Sequence, residues 1–246
     1  MNHANKRYGF TIIELVIAMG FVSVLLIAIA MTVIQIGNIY NRGITLKDVN
    51  QAGRSLTSEL LRSINQSAPF LLSNRYVQQN WGGRLCLGQY SYIWNYGKAL
   101  TPPLDSNRNV FSDSVNEIRF VKVLDPNASY CTKSVVGDYI DVLSSEAVEL
   151  LNVGQHNLAI HDFIITTTLD DPSTPLVNEN TTGDSKTGQQ LYSIVFTIGT
   201  NDQLALDFSD GLIVCKPPSE TAEGADPSYC SINQFNILAR SGNTVE

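Results

Sequence analysis

The stretch from Leu15 to Ile34 reads LVIAMGFVSVLLIAIAMTVI, twenty residues without a charged side chain. As an α-helix rising about 1.5 Å per residue it would be about 30 Å long, which matches the hydrocarbon thickness of a bilayer. Lys6 and Arg7 precede it, and positive charge before a spanning helix holds the N-terminus in the cytoplasm. The sequence therefore predicts one transmembrane segment at about residues 15–36, with the remainder of the chain outside the cytoplasm.

A cleaved secretory signal is the competing interpretation of this stretch. Such signals also begin with positive charge, but their apolar region is about 7 to 15 residues long and is followed by a small-residue cleavage site. The run here is longer, although Ala28-Ile29-Ala30 resembles a cleavage site of this kind. The length favours a retained helix.

The chain as a whole is poor in charged residues. They make up 16% of its 246 residues, and hydrophobic residues make up 43%, whereas about 25% of residues are charged in a typical soluble domain. The formal net charge of −7 opposes binding to nucleic acid, because it creates no field that attracts a polyanion. Only a local cluster such as Arg75, Arg84 and Lys98, brought together by folding, would reverse this. No nucleic-acid partner is predicted.

A single carboxylate stands at the start of the apolar run. Glu14 directly precedes Leu15. An acid at the centre of a spanning helix costs about 2.5 to 3.5 kcal/mol on insertion scales, so an acid inside a membrane segment is a candidate functional residue. Alternatively, Glu14 lies at the headgroup level in the first helical turn, where the helix dipole favours an anion. Taken alone, the residue leaves both interpretations open.

The residues around Glu14 carry a family resemblance. Residues 6–15 read KRYGFTIIEL: a short basic leader that ends in Gly9, then Phe10, then Glu14 at the fifth position after the glycine. This segment resembles the processing site of type IV pilins and of their relatives, the pseudopilins of type II secretion. The resemblance covers about the first forty to sixty residues.

The resemblance implies a processed N-terminus. Residues 1–9 would be a leader that a prepilin peptidase removes after Gly9, and Phe10 would become the new, methylated N-terminus. Glu14 would then neutralise the Phe10 ammonium of its own subunit or of a neighbour during filament assembly. An α-amine has an ordinary pKa of about 8, so both groups are charged at pH 7 and each is costly in lipid without the other.

The resemblance also implies a structural function and a set of partners. The chain is expected to be a subunit of a type IV pilus or related filament. Its partners would be other pilin subunits, the prepilin peptidase, the inner-membrane assembly platform and membrane lipid. It would first be a single-pass membrane protein with its N-terminus in the cytoplasm, and then part of a cell-surface pilus. The spanning segment lacks the proline that many major pilins carry, which favours a minor pilin.

Two questions about function stay open at the level of sequence. Adhesion, DNA uptake and secretion are all compatible tasks for such a filament. The alternative to a filament subunit is a binding module or enzyme tethered to the outer face of the membrane by an uncleaved anchor. That alternative leaves Gly9, Phe10 and Glu14 unexplained.

Beyond the membrane segment the helix is expected to continue. Apolar or small residues recur there at intervals of three and four, as on an amphipathic helix. They are Leu46, Val49, Gly53, Leu56, Leu60 and Ile64. The result is one long helix over residues 10–66, and Pro69 lies beyond its end. Residues 67–246 would form a head domain on which the apolar stripe packs.

The head carries the signals of strands and loops. Polar and apolar alternation or β-branched and aromatic enrichment predicts strands over residues 116–123, 158–169, 190–199, 204–208 and 235–239. A helix that precedes a series of strands argues for an α+β fold with a mainly antiparallel sheet, and against βαβ repeats.

Four cysteines occur, and none lies in a C-x-x-C pair. This spacing suits two disulfides in an exported domain better than a zinc site. Of the three possible connectivities, Cys86–Cys131 with Cys215–Cys230 is the hypothesis we favour, because short loops close most easily. The segment from Cys215 to Cys230 also resembles the disulfide-bounded C-terminal region of pilins.

No motif predicts an enzyme. The sequence lacks a phosphate loop, a dinucleotide-binding glycine pattern, a G-x-S-x-G elbow and an H-E-x-x-H pair. His161 lies beside Asp162 on a predicted strand, five residues after His156. Without an indicated nucleophile, these three are expected to be ordinary surface residues. No catalytic residue and no cofactor is predicted.

One acidic cluster lies between Cys215 and Cys230. Glu220, Glu223 and Asp226 could supply oxygen ligands to calcium. Their spacing does not match an EF-hand loop, and a solvated acidic loop is the favoured interpretation. They are therefore only weak candidates for a metal site.

Overall fold

A computed structural model of the chain describes residues 10–100, 118–133, 139–142, 146–151, 157–167, 190–208, 213–217, 220, 223–224 and 229–242. This part of the chain contains one long N-terminal helix, two larger antiparallel sheets and a two-stranded sheet. The fold class is α+β, as the sequence predicts.

The long helix, α1, spans Ile12–Gln66 and contains 55 residues. Thr11 caps it in an extended conformation, with φ −77° and ψ 152°. Because Thr11 is outside the helix, α1 begins two residues later than predicted, whereas its end agrees with the prediction. At that end the backbone N–H of Ser67 donates to the Ile64 carbonyl at 3.1 Å.

Helix α1 has two halves with different surroundings. Between residues 12 and 44 every residue is exposed or only partly covered. From Thr45 onward one stripe of the helix is buried against the strands: Thr45, Val49, Ala52, Gly53, Leu56, Leu60, Ser63 and Ile64. The stripe predicted from the three- and four-residue spacing is therefore the packing face, except that Leu46 stays 43% exposed.

The first sheet, sheet A, has five antiparallel strands in the order β1-β2-β3-β4-β5. They are β1 (Tyr76–Gln79), β2 (Gly82–Leu87), β3 (Tyr90–Asn95), β4 (Phe120–Leu124) and β5 (Ala147–Glu149). Gly88, with φ +58°, lies in the tight turn between β2 and β3. Such a left-handed conformation strains residues that carry a Cβ atom.

The second sheet, sheet B, has three antiparallel strands in the order β10-β7-β6. They are β6 (Leu158–Thr167), β7 (Gln190–Thr200) and β10 (Ile232–Ser241). A register shift at His161 marks a β-bulge in β6. The short strands β8 (Leu206–Asp207) and β9 (Val214–Cys215) pair separately.

An aromatic core lies between α1 and the two sheets. The Trp94 ring lies 4.3 Å from that of Phe163 and 5.5 Å from that of Phe120, measured between ring centroids. Phe163 continues the series to Phe196 at 6.0 Å. Since Trp94 and Phe120 come from sheet A and Phe163 and Phe196 from sheet B, these rings join the two sheets into one core.

Short elements connect the two sheets. Helix α2 (Leu72–Arg75) leads into β1, and helix α3 (Gly97–Leu100) follows β3. Tyr96 forms a parallel bridge to Ile160 of β6. The described part of the 67–246 region therefore packs as one β-rich body against the C-terminal half of α1.

Several predicted strand boundaries need correction. The hairpin of β1 to β3 was not predicted, because Gly82 and Gly83 interrupt its hydrophobic pattern; Gly83 is required there by the close packing of the Trp94 ring. Strand β4 begins at Phe120 and not at residue 116, and residues 116–117 lie outside the described part. Strand β10 is longer than predicted, and the strand predicted at residues 204–208 shrinks to Leu206–Asp207.

Candidate functional site

The N-terminus of α1 is organised around Glu14. The Thr11 backbone N–H and the Thr11 hydroxyl each donate to Glu14 Oε2 at 2.9 Å. In return the Glu14 backbone N–H donates to Thr11 Oγ1 at 3.3 Å. This reciprocal arrangement is a capping box, in which two otherwise unsatisfied N–H groups of the first turn find acceptors.

The capping box fixes where the Glu14 carboxylate lies. It is at the very end of the helix, beside Phe10, and both Thr11 donors use the same oxygen, Oε2. Within the described residues the second oxygen is open to a further donor. The sequence signal for this arrangement is Thr-x-x-Glu immediately before an apolar run, and it becomes visible only when Glu14 is taken together with Thr11. Gly9 lies outside the described residues, so the structure does not describe the predicted cleavage point.

The N-terminal half of α1 exposes the apolar run from Leu15 to Ile34, which contains no charged side chain. The large apolar side chains between residues 12 and 44 are exposed by between 37% at Ile44 and 84% at Ile12. In the part of the chain that the structure describes, α1 is the one helix that is long and apolar enough to cross a membrane. Its most apolar 18-residue window has a mean hydropathy of 2.8, and none of that window is buried against the head. The structure is therefore compatible with a single-pass membrane protein.

The polar side chains inside the apolar half are satisfied by the helix itself. The Ser23 hydroxyl donates to the Met19 carbonyl at 2.8 Å, and the Thr32 hydroxyl donates to the Ala28 carbonyl at 2.9 Å. Such bonds to the preceding turn leave no hydroxyl proton without an acceptor. Both residues are thereby suited to an apolar environment such as lipid or packed helices.

The C-terminal half of α1 is fixed to strand β10 by close contact. Gly53 faces the Phe235 ring so closely that a Cβ atom at residue 53 would overlap it. One turn earlier, Asn233 Nδ2 donates to Asn50 Oδ1 at 2.6 Å. The helix therefore approaches β10 closely and at a defined position along its axis.

A polar network joins α1 to sheet A. Lys122 Nζ donates to Glu59 Oε1 at 2.6 Å, and the Tyr92 hydroxyl donates to the same oxygen at 2.9 Å. Ser63 hydrogen-bonds to the Tyr92 hydroxyl. Partial burial would raise the pKa of Glu59, but hydrogen bonds from Lys122 and Tyr92 outweigh it and the pKa is lowered. Glu59 is therefore a charged anchor between helix and head.

Both disulfides in the structure are the pairs favoured from the sequence. Cys86 on β2 is joined to Cys131, with 6.2 Å between the Cα atoms. Cys215 on β9 is joined to Cys230, with 5.8 Å between the Cα atoms. Among the described residues no cysteine is free. The first disulfide fastens the 129–131 turn to sheet A, and the second closes the segment that precedes β10.

The three cations considered for a nucleic-acid surface do not form one. Arg84 is only 1% exposed. Its Nη1 donates to the Tyr130 carbonyl at 3.0 Å and to the Ile140 carbonyl at 2.6 Å. Burial lowers the pKa of Arg84 to about 10, so it stays charged at neutral pH. Arg84 thereby links Tyr130 and Ile140 to strand β2 of sheet A.

The histidine and acidic residues considered as site candidates differ in their exposure to solvent. His161 is buried and not on the surface as expected, because the β-bulge turns its ring inward, where Nε2 lies 3.1 Å from the Thr200 carbonyl oxygen. Glu220 and Glu223 are both exposed. His156 and Asp226 lie outside the described residues, and the described residues contain no group of three or more metal-ligating side chains.

The N-terminal end of the molecule combines three of the features described above. Phe10, Thr11 and Glu14 form an ordered helix terminus, and an exposed apolar helix leads from it to a disulfide-bonded head. The contacts made by Gly53 and Glu59 were missed, because no short-range pattern shows which strand a helical residue will face. In comparisons with known proteins, no protein-family model, no curated protein and no solved structure matches this chain.

Proposed function

We propose that this protein is a structural subunit of a type IV pilus or related filament, assembled through its N-terminal helix. The observation that carries the proposal is the division of α1: one half is packed on the head, and the other exposes the apolar run from Leu15 to Ile34, which has no charged side chain. A helix that is apolar on every side requires lipid or other helices around it. A filament subunit needs both environments in turn.

Processing after Gly9 supplies the charge that the helix terminus lacks. Cleavage there would free the Phe10 amine, whose methylation leaves its positive charge in place. That ammonium would lie within the reach of Glu14 Oε1, while Oε2 remains bonded to Thr11. The Thr11 N–H and hydroxyl remain after cleavage, so the capping box is retained. An ion pair between Glu14 and Phe10 of the same or a neighbouring subunit would fix the register of packed helices.

Assembly then exchanges one apolar environment for another. In the membrane, lipid covers the exposed half of α1, with the N-terminus on the cytoplasmic side as the positive-inside rule requires. In the filament, the same surface packs against helices of other pilin subunits. A prepilin peptidase and an inner-membrane assembly platform are the partners required for these steps. The head, attached by Gly53 and Glu59, moves with the helix.

The proposal specifies a minor subunit. Gly20, Gly37 and Gly43 are the flexible positions of the exposed half, and none has another group within 4 Å of its missing Cβ atom. Many major pilins carry a proline in the spanning segment, and this chain has none there. The missing proline is the reason for assigning a minor subunit. After removal of residues 1–9, the formal charge is 14 − 23 = −9, because Lys6 and Arg7 are lost.

Cleavage by a prepilin peptidase tests the proposal biochemically. The full chain is co-expressed with the peptidase, and the mass of the membrane-extracted product is measured. We expect a product that begins at Phe10, and no cleavage of a Gly9→Leu variant. A wild-type chain that stays intact would contradict the filament assignment and favour the alternative, a module tethered by an uncleaved anchor.

A further inference from the structure

The head contains a groove whose described lining includes no residue of α1. It lies where the β1 edge of sheet A meets β6 of sheet B. Two adjoining cavities form it, one of about 390 Å³ and one of about 410 Å³. Both are lined by Tyr96, Lys98, His161 and Asp162. These four residues therefore lie between the two ends of a continuous groove.

The floor of the groove is built by irregular backbone that close packing holds in place. The β-bulge at His161 turns that ring inward, and the next residue, Asp162, faces the groove. Gly97 packs against the histidine: a Cβ atom there would lie 2.7 Å from His161 Cε1. A bulge that re-aims a side chain beside a cavity is a frequent feature of binding sites.

The charges in the groove offset one another. Lys98 Nζ lies over the rings of Trp81 and Tyr96, at 5.3 and 5.7 Å from their centroids. Asp162 provides the opposite charge. Burial lowers the pKa of His161 to about 4, against the effect of its backbone hydrogen bonds, so the histidine is neutral at pH 7. The groove thus attracts neither an anion nor a cation by net charge.

Neutral hydrogen-bonding groups line the rest of the groove. Gln78, Gln79 and Asn80 border one cavity, and Thr197 and Gln234 border the other. Gln79 Oε1 is buried and accepts no hydrogen bond within the described residues. A buried acceptor without a partner is unfavourable. A ligand hydroxyl or water would satisfy it.

One wall of the groove is apolar and accessible. Phe208 lines it with 47% of its surface exposed, beside Ile213 and Ile232. An aromatic face next to polar groups that converge on one space is the usual composition of a small-molecule site. The ligand must therefore combine an apolar face with several neutral polar groups.

We propose that this groove is a binding site for a neutral saccharide. A sugar ring has a face of C–H groups that can pack on Phe208. Its hydroxyls both donate and accept, so they suit the Asp162 carboxylate, the Gln79 carbonyl and the Gln234 amide together. This inference goes beyond the proposed function and does not depend on it, since it concerns only the head.

The test is a binding measurement on the full chain in lipid nanodiscs, because detergents with sugar headgroups would compete. The probes are neutral di- to tetrasaccharides of hexoses and N-acetylhexosamines, titrated while the fluorescence of Trp81, which lies under Lys98, is followed. Asp162→Asn and Phe208→Ala alter the groove. Glu220→Gln and Leu238→Ala are the matched controls, since both residues are exposed and neither is among the described lining residues.

We expect at least one probe to bind, with an affinity at least tenfold weaker in both groove variants and unchanged in both controls. Phe208 is half exposed, so its variant tests the groove even if Asp162→Asn disturbs β6; near-ultraviolet circular dichroism checks the fold of each. Three results would overturn the proposal: no binding by any saccharide probe, equal binding by wild type and the Phe208 variant, or binding of free amino acids in place of saccharides.

Discussion

The carboxylate of Glu14, the third residue of α1, is held at the N-terminus of the helix by hydrogen bonds within the chain. Its position therefore does not depend on a partner. In this protein Glu14 receives two hydrogen bonds from Thr11 through Oε2, and the position of Oε1 follows from them. If a neighbouring amine sets the filament register, as we propose, Thr11 is the residue that positions its acceptor. A substitution of Glu14 tests the charge of the carboxylate, and a substitution of Thr11 tests the hydrogen bonds that position it.

Loss of the Glu14 charge is expected to stop filament assembly without affecting membrane insertion. In a Glu14→Gln variant the acceptor oxygen for Thr11 remains, so the cap survives while the ion pair with an ammonium is lost. We predict at least a tenfold lower yield in the sheared filament fraction and an unchanged amount in membranes, both measured by immunoblot. Normal filament yield would show that Glu14 does not set the register.

At Thr11, a hydroxyl matters more than a methyl group. Thr11→Ser keeps the donor and acceptor and should assemble normally. Thr11→Val keeps the shape but loses the cap, which costs about 1 kcal/mol of helix stability, and should reduce filament yield. Equal yields from the two variants would contradict the positioning role.

Gly53 provides a test of how closely α1 packs on β10, and Gly43 in the same helix provides the control. In Gly53→Ala the new methyl group meets the Phe235 ring, and we expect a loss of about 1 to 3 kcal/mol in head stability from overpacking. Gly43→Ala has open space around it and should be neutral, or stabilising by up to about 1 kcal/mol. Urea unfolding followed by the fluorescence of buried Trp94 measures both variants. A stable Gly53 variant would mean that α1 does not lie this close to β10.

His161 should make the head sensitive to mild acid. Its pKa is lowered by burial from 6.5 to about 4, so the unfolded chain binds a proton at pH 5 that the folded chain excludes. The stabilisation is complete above pH 6.5 and is lost as the pH falls towards 4, by about 3 kcal/mol in total. Urea unfolding at pH 7 and pH 5 should show about 2 kcal/mol of this loss in the free energy of unfolding, and a His161→Gln variant should show a smaller one. Equal pH dependence in both proteins would contradict it.

At the scale of elements, α1 is one continuous helix whose two halves, divided near Thr45, have different surroundings. The exposed half, residues 12–44, is about 50 Å long, so it is longer than the hydrocarbon thickness of a bilayer, about 30 Å. The packed half depends on the close approach at Gly53 and the charged contact at Glu59. These contacts make the helix and the head move together.

The contact between Glu59 and Lys122 is expected to contribute more than an ordinary surface ion pair. Both side chains are 23% exposed, and Tyr92 donates to the same carboxylate. A double-mutant cycle with Glu59→Gln and Lys122→Met should give a coupling of about 1 to 2 kcal/mol in unfolding free energy. A coupling near zero would show that the pair is no anchor between helix and sheet.

The helices and strands also differ in how well they could be predicted from the sequence. The C-terminal end of α1 and its buried stripe could be predicted, because both follow from local spacing and from Pro69 beyond the helix. The predicted start of α1 is two residues too early, because the prediction does not take account of the cap at Thr11. The hairpin of β2 and β3 could not be predicted, since Gly83 is explained only by the Trp94 ring on the strand paired with it. The inward turn of His161 likewise depends on a bulge in the pairing of β6 with β7, which no single strand encodes.

At the scale of the whole molecule, the exposed apolar surface and the disulfide-bonded head lie in different parts of the chain. The exposed apolar surface is concentrated in the first half of α1, and the head carries both disulfides. Each disulfide should contribute about 2 to 4 kcal/mol to the stability of the head. The groove beside Asp162 lies on that head, and its described lining includes no residue of α1.

The N-terminal peptide of the protein, isolated separately from sheared surface filaments and from membranes, tests the central claim most directly. Mass spectrometry should find a peptide that begins at methylated Phe10 in the filament fraction, because processing and assembly both require that terminus. An intact leader in both fractions, with Gly9 still bonded to Phe10, would contradict the account and assign the chain to a tethered module.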